Sequence, residues 1–186
     1  MNQTTFRYFA FLRAINVGGH TVKMEFLRNI CEELGFSHVE TFIASGNIIF
    51  ESPIPDVRPL EIKMETMFSE TLAYPVTTFL RTEAELSAIH SYQPFSQARL
   101  DSAQAFNIAF LSEAPDQNSL QKLMARETDI DAFHSSGREI YWLCMKKQSE
   151  STFSNVALEK TLGQKSTLRG IQTIHNLAAK YLNNND

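Results

Sequence analysis

The feature that most constrains the fold of this 186-residue chain is the stretch Phe9-Ala10-Phe11-Leu12-Arg13-Ala14-Ile15-Asn16-Val17-Gly18-Gly19-His20. Residues 6–13 are strongly β-prone, with Phe6, Tyr8, Ala10 and Leu12 on one face and Arg7, Phe9, Phe11 and Arg13 on the other. Both faces are apolar at mid-strand, which predicts a strand covered on both sides. Paired glycines follow, and beyond them Phe26, Leu27, Ile30, Cys31 and Leu34 recur at helical spacing until Gly35 stops the helix. The chain therefore opens as strand, glycine turn and helix.

Further along, residues 39–43 and 48–50 read as two strands around a tight Ala44-Ser45-Gly46-Asn47 turn. Leu60, Met64, Met67, Phe68 and Leu72 mark a second amphipathic helix, and Pro75 permits a strand over residues 76–80. The resulting order, β-α-β-β-α-β, is the split ferredoxin-like arrangement. Thr82 and Glu85 form a capping box for a short helix that buries Leu86 and Ile89, and residues 91–103, with Pro94, read as a linker.

The plan then returns. Ala10-Phe11-Leu12 is echoed by Ala109-Phe110-Leu111. Phe42, Ser45, Gly46, Ile49 and Phe50 match Phe133, Ser136, Gly137, Ile140 and Tyr141 at a constant offset of 91, with a helix between marked by Leu120, Leu123 and Met124. The expectation is an α+β chain of two ferredoxin-like (split β-α-β) halves related by duplication, residues 1–93 and 94–186, in one compact unit. The second copy is expected to end in extra C-terminal helices where the first has one helix and a strand. One covers residues 154–163 and is closed by Gly163; a longer one carries Ile171, Ile174, Leu177, Ala178, Tyr181 and Leu182 on one side. Residues 183–186 read as a polar, frayed tail.

Composition matters for the functions it excludes. Hydrophobic residues at 43% and charged residues at 20% place the chain among soluble globular proteins. The formal net charge is −4, whereas a nucleic-acid binder usually carries a basic surplus. RNA binding across an open sheet would use aromatics such as Phe9, Phe11 and Phe50, yet the basic rim and the Lys/Arg-Gly-Phe signature are missing. Cys31 and Cys144 lie in apolar patterns and read as small buried hydrophobes in a reducing cytosol. No cysteine or histidine spacing suggests a metal, and no cofactor is expected. Without a leader pattern or an apolar run near the roughly 20 residues of a membrane span, the chain reads as cytoplasmic, with no membrane partner.

Topology selects the residues for chemistry. A helical crossover makes the first two strands run the same way, so the turn at residues 14–21 and the hairpin turn at 44–47 share one end of the sheet. Arg13, Asn16, Gly18, Gly19, His20 and Lys23 should gather there near Ser45, Gly46 and Asn47. Glycines let a backbone approach a ligand, and the helix that follows aims free N–H groups at the same place. The arrangement suits phosphate or carboxylate. The bland alternative is structural: glycine for positive φ, Asn16 as a turn cap, and Ser45-Gly46-Asn47 as ordinary hairpin chemistry. The P-loop spacing is absent. Thr167 and Arg169, in the polar segment 166–173 leading into the last helix, form a second candidate, set against a plain helix cap. Arg81 is set aside as lying at the other end of its sheet. No serine elbow or cysteine–histidine pair stands out, so the catalytic residues are unassigned.

The motifs Leu12-Arg13-Ala14-Ile15-Asn16-Val17-Gly18-Gly19, Lys23-Met24, Leu34-Gly35-Phe36 and Ser45-Gly46-Asn47 resemble the opening signature of the bacterial "domain of unknown function 1697" family. Weaker likeness continues through Arg81-Thr82, Gln93-Pro94-Phe95 and Leu158-Glu159-Lys160 to residues 167–173. The resemblance implies two ferredoxin-like α+β halves and carries no activity. Near its end the family pattern looks like Thr-Thr-Arg-Asn-Trp-Asn-Thr. Thr167, Arg169 and Thr173 keep their places here, but Gly170, Ile171 and Gln172 replace the Asn-Trp-Asn core.

The leading expectation is a cytosolic binding protein or enzyme for a small anionic or phosphorylated ligand seated at the glycine turn. The alternatives are a protein-interaction or regulatory module without catalysis and, less favoured, an RNA binder. The two-sided strands add a structural expectation. Wet Phe9 and Phe11, or Phe106, Ile108 and Phe110, would cost several kcal/mol at ~25 cal/mol per Å², comparable with a domain's whole stability. The cover should be mainly intramolecular, giving a monomer or weak dimer whose fragments 1–93 and 101–186 do not fold alone.

Overall fold

The protein, seen in a computed structural model, is described over residues 4–16, 21–43 and 46–182. Among these residues two four-stranded antiparallel sheets alternate with helices, so the chain is mixed α+β. The residues group into two units, the first running to Ile89 and taking in Leu182, the second spanning His90–Tyr181.

The first unit is built from β1 (Phe6–Leu12), α1 (Met24–Glu33), β2 (Ser37–Phe42), β3 (Asn47–Ser52), α2 (Val57–Leu72) and β4 (Thr78–Thr82). Its strand order is β2-β3-β1-β4. Alternation along β1 sends Tyr8, Ala10 and Leu12 into a core with Leu27, Ile30 and Cys31 of α1 and Leu60, Met64 and Phe68 of α2. Burial pushes the Cys31 thiol up to about 12, with Glu32 adding to the effect. Phe9, Phe11 and Phe79, on the other face, are buried as well, so the two-sided strand is real. Thr82 and Glu85 form the expected capping box: Glu85 Oε2 accepts the Thr82 N–H at 2.8 Å, and Thr82 Oγ1 accepts the Glu85 N–H at 3.2 Å. It opens α3 (Glu83–Ser91).

Both edges of this sheet are modified. On β2 the register shifts between Ser37 and Glu40, and His38 takes a positive φ of 50°; a bulged edge resists pairing with another chain. The outward N–H groups of β4 are taken by α2: Glu61 Oε1 accepts from Leu80 at 2.9 Å and Glu65 Oε1 from Thr78 at 3.0 Å. A fully buried carboxylate, Glu61, thus does the work of a missing fifth strand.

The second unit contains α4 (Gln97–Ser102), β5 (Ala105–Leu111), α5 (Gln117–Met124), β6 (Asp131–Ser136), β7 (Glu139–Cys144), α6 (Asn155–Leu162), β8 (Ser166–Gly170) and α7 (Ile171–Tyr181). Its strand order is β6-β7-β5-β8. Ala109, Leu111, Ile140 and Trp142 meet Leu123 of α5 and Leu158 of α6 in its core. The Trp142 indole N–H donates to Asp131 Oδ1 at 2.7 Å and the Ser151 hydroxyl to Oδ2 at 2.7 Å, so the buried carboxylate is satisfied.

Three expectations are corrected. The segment 91–103, read as a linker, carries a short helix of its own, α4, over Gln97–Ser102. The chain after α6 does not pass straight into a helix: residues 166–170 form β8, hydrogen-bonded along β5, before α7 begins. The echo at offset 91 is one residue out of step with the sheets. Ala10 pairs with Ile48 and Ala109 with Ile140, while Tyr8 faces Phe50 and Asn107 faces Trp142. The third strands therefore correspond at an offset of 92. A slip of one residue moves a strand's side chains to the opposite face. Phe50 belongs to the helix-side core, whereas Tyr141, its match by sequence, does not. The hairpins differ too: residues 43–46 join β2 to β3, but only Gly137 and Arg138 join β6 to β7.

Candidate functional site

The turn after β1 is held in place by two backbone–backbone hydrogen bonds and one from a side chain. The Leu12 N–H donates to the Gly46 carbonyl at 2.8 Å, the Arg13 N–H to the Thr77 carbonyl at 2.8 Å, and the Tyr74 hydroxyl to the Ile15 carbonyl at 3.1 Å. The two turns do share one end of the sheet, as topology requires of strands joined by a helical crossover. Gly46 stands at a φ of +71°, and a Cβ there would lie 2.7 Å from Ile15 Cγ2 and 3.2 Å from Leu12 Cβ. Glycine is needed at this position both for conformation and for space. Ala14 also has a positive φ, 62°, which a non-glycine residue adopts only under constraint.

The expected site residues divide accordingly. Arg13 is half-buried at the end of β1 and Lys23 is exposed at the start of α1. Asn16 is exposed, and its Oδ1 accepts the Val22 N–H at 2.8 Å, closing the loop. Asn47 is buried, with its amide donating to the Phe42 carbonyl at 3.0 Å. Gly46 is packed against Leu12 and Ile15. Gly18, Gly19, His20 and Ser45 lie outside the described residues. Asn16, Gly46 and Asn47 thus build the turn, and Arg13 and Lys23 are the cations beside it. Lys23 occupies the cap position of α1 with an extended backbone and no side-chain cap bond. Directly there, Thr21, Val22, Lys23, Phe26 and Leu72 line an open hollow of about 310 Å³.

Thr167 and Arg169 belong to the other unit and are strand residues. Both project from the same face of β8, and Arg169 donates to Thr167 Oγ1 at 2.9 Å and to the Leu168 carbonyl at 2.8 Å. Burial lowers the Arg169 pKa to about 10, which still leaves the guanidinium charged at neutral pH. The pair therefore lies in a strand that ends where α7 begins, rather than in the helix start expected from sequence. Arg81, set aside on sequence grounds, is fully buried opposite Phe9 near the middle of its sheet, and donates to the Leu80 carbonyl at 2.8 Å. Also missed were His90, Tyr92 and His175, which the second unit brings to one cleft. Among the described residues no group of three or more histidines, cysteines or carboxylates could hold a metal, and no helix is long and apolar enough to cross a membrane.

No curated protein matches the chain. Among solved structures it is similar to the conserved bacterial protein SP0830 from Streptococcus pneumoniae, at 24% identity and a TM-score of 0.76 over 95% of this chain and 98% of that one. That likeness shows the fold. The family model described as "Protein of unknown function (DUF1697)" matches residues 6–141, covering the strand, the turn and α1, and the chain belongs to this family.

Proposed function

We propose that the chain binds a small anionic ligand, of the phosphorylated class, at the β1–α1 turn. One observation carries this reading: α1 starts without a side-chain cap, beside an open hollow whose only charged lining residue among the described residues is Lys23. Helix N–H groups without a side-chain cap, together with a nearby ammonium, favour an anion. Half-buried Arg13 adds a second cation at the end of β1. Glu25 opposes the reading from the first helical turn, although Arg28 lies 3.9 Å from it. Phe26, 44% exposed, and Leu72 offer an apolar floor for the body of a ligand. The ligand site is cytosolic and needs no metal.

The test is a thermal-shift comparison of inorganic phosphate, nucleoside monophosphates and sugar phosphates against the intact chain, repeated on Lys23→Ala and Arg13→Ala. A ligand at 100 times its Kd stabilises the native state by about 2.7 kcal/mol, well above the resolution of the method. The expected result is a saturable rise in Tm for at least one phosphorylated compound, reduced in both variants. No rise with any anion, or a rise that neither variant changes, overturns the assignment.

We also infer that the two units are ferredoxin-like copies of one ancestral half. Support comes from identical strand orders and from a recurring detail at the edge strand. Thr78 and Ser166 hold the same register against Leu12 and Leu111, and the N–H of each is accepted by a glutamate of the preceding helix, Glu65 and Glu159. Arg81 and Arg169 likewise hold one register, and each donates to the carbonyl of the residue before it.

A further inference from the structure

The second unit holds a cleft of about 350 Å³, with His90, at the end of α3, and His175, in α7, in its wall. Their Nδ1 atoms lie 2.9 Å apart, the rings meet edge-to-face at 82° and the ring centres are 4.9 Å apart. The two Nδ1 atoms are thus the facing corners of the pair, and the two Nε2 atoms point away from each other. Neutral imidazole carries one proton, on either nitrogen. A proton on one Nδ1 makes the contact a hydrogen bond. Protons on both Nε2 atoms instead leave two Nδ1 lone pairs facing one region, and a cation beside the contact serves that arrangement. Imidazole nitrogens bind zinc at ~2.0–2.1 Å, which sets neighbouring ligands about 2.9 Å apart at a right angle and about 3.3–3.4 Å apart in a tetrahedron. The pair already has the spacing of two adjacent ligands, with the ion seated off the line that joins them.

The surroundings narrow the class of ion. Among the described residues the lining includes the amides of Gln93 and Gln104 and the rings of Tyr92 and Phe106, and no lysine, arginine or carboxylate. No fixed positive charge in the lining opposes a cation. Magnesium and calcium take oxygen ligands, carboxylates above all, whereas imidazole suits zinc, copper and nickel. His134 is already engaged, its Nε2 lying 2.7 Å from the Tyr92 hydroxyl. The pair therefore supplies two ligands and the remaining positions face the cleft, as in metal sites that keep a position open. Burial, then the neighbouring His90, holds the His175 pKa below its ordinary value. That ring is neutral at pH 7, the form that ligates.

We propose that His90 and His175 bind one divalent transition ion of the imidazole-preferring class, zinc or copper, through their Nδ1 atoms, with the cleft-side positions left to water or to the donor groups of a small ligand. The site lies in the second unit and does not rest on the anion reading of the β1–α1 turn.

The experiment titrates zinc into the intact, ¹⁵N-labelled chain and reads the histidine ring nitrogens by long-range proton–nitrogen correlation, with calcium as the comparison. The first zinc equivalent should move the Nδ1 signals of His90 and His175 together to metal-bound positions, with protons on both Nε2 atoms, while His38 and His134 keep theirs. Competition with a chromophoric chelator then measures the affinity. His90→Gln and His175→Gln should each weaken zinc binding by about tenfold or more, since even an outer-shell partner of a metal is worth that much, and His38→Gln should leave it unchanged. A proton that stays on one Nδ1 at saturating zinc overturns the proposal, because the contact is then a hydrogen bond alone. No saturable binding, an equal response to calcium, or an affinity that either cleft variant retains overturns it as well. The ring-nitrogen spectrum of the unsubstituted chain decides the matter whether or not the variants fold.

Discussion

Glu61 is the side chain whose replacement tests most directly how the first sheet ends. It is 1% exposed, it accepts the Leu80 N–H at 2.9 Å, and its other oxygen lies 3.1 Å from Arg58. In Glu61→Ala the Leu80 N–H is left buried with no acceptor. A hydrogen bond to a charged group contributes about 1.5–3 kcal/mol, and the stranded donor bears the full desolvation cost. The one methylene removed with the carboxylate adds about 0.8 kcal/mol. Losing the pair with Arg58, whose side chain is 61% exposed, adds little, because such a pair is screened by solvent. Relief of the buried carboxylate's own desolvation works in the opposite direction. The net expectation is a loss of about 2–4 kcal/mol, a fall in Tm of about 5–12 °C for a chain of this length. Glu61→Gln keeps an acceptor of the same shape and should lose less than half as much. Denaturant unfolding measures the total. Amide exchange localises it: the Leu80 N–H should exchange faster in Glu61→Ala, while the Thr78 N–H, held by Glu65 at 3.0 Å, should change less. A loss under about 0.5 kcal/mol, the range of ordinary surface substitutions, would refute the reasoning. So would equal losses in the Ala and Gln variants, since charge rather than the acceptor would then be the cause.

Two further outcomes follow from the same geometry. Gly46→Ala combines a φ of +71° with a Cβ 2.7 Å from Ile15 Cγ2, and should cost about 2–4 kcal/mol from backbone strain and overpacking; Gly35→Ala, with a φ of +82° and nothing within 4 Å, should lose only the backbone part, about 1–2 kcal/mol, and equal losses would contradict the contact with Ile15. His175 has a folded-state pKa lowered from 6.5 by burial and by His90, so below about pH 6.5 the unfolded chain takes up a proton that the native one resists. Its contribution to stability is complete above that pH and is lost as the pH falls through the folded pKa. The Tm of the native chain should thus fall more between pH 7 and 5 than that of His175→Gln, and parallel curves would show that the histidine is not the source.

The parts of the fold that could be read from sequence are those set by near neighbours. The alternation of β1, the glycine stop after α1 and the Thr82–Glu85 box each involve residues a few positions apart, and the structure reproduces all three. Strand β8 shows the opposite case. Ser166-Thr167-Leu168-Arg169-Gly170 has a single large apolar side chain, Leu168, and that faces the helix-side core. No alternation announces a strand. What makes it one is pairing with β5 along one side and, on the other, Glu159 accepting the Ser166 N–H at 2.8 Å while the Asn155 amide donates to the Ser166 carbonyl at 3.3 Å. Those partners lie 7 and 11 residues away and act through folded geometry. The offset of 91 failed for a related reason. Gly46 and Gly137 look equivalent as letters, but one closes a four-residue connection and the other a two-residue hairpin, so the alignment that matches the glycines inverts the strand behind them.

The candidate site divides along the same line. Placing Arg13, Asn16 and Lys23 at one end of the sheet needed only the crossover rule, and the turn did form against the hairpin. Which of those residues are structural was not legible, because a capping asparagine and a ligand-binding one have the same letter; only the 2.8 Å bond from Val22 shows that Asn16 Oδ1 is already engaged. Arginine in a strand gives still less guidance. From sequence, Arg169 sits in a polar segment leading into the last helix, and Arg81 is set aside as lying at the other end of its sheet from the glycine turn. Both are buried on the sheet face turned away from the helices, where carbonyl and hydroxyl partners satisfy part of each fork. His90 and His175 are 85 residues apart, and no local pattern links them. What joins them is the fold of the second unit, which sets the end of α3 against the second turn of α7. A search for chemistry by motif spacing finds sites whose ligands share one loop or one helix face; a site assembled from the ends of two helices has no spacing to find.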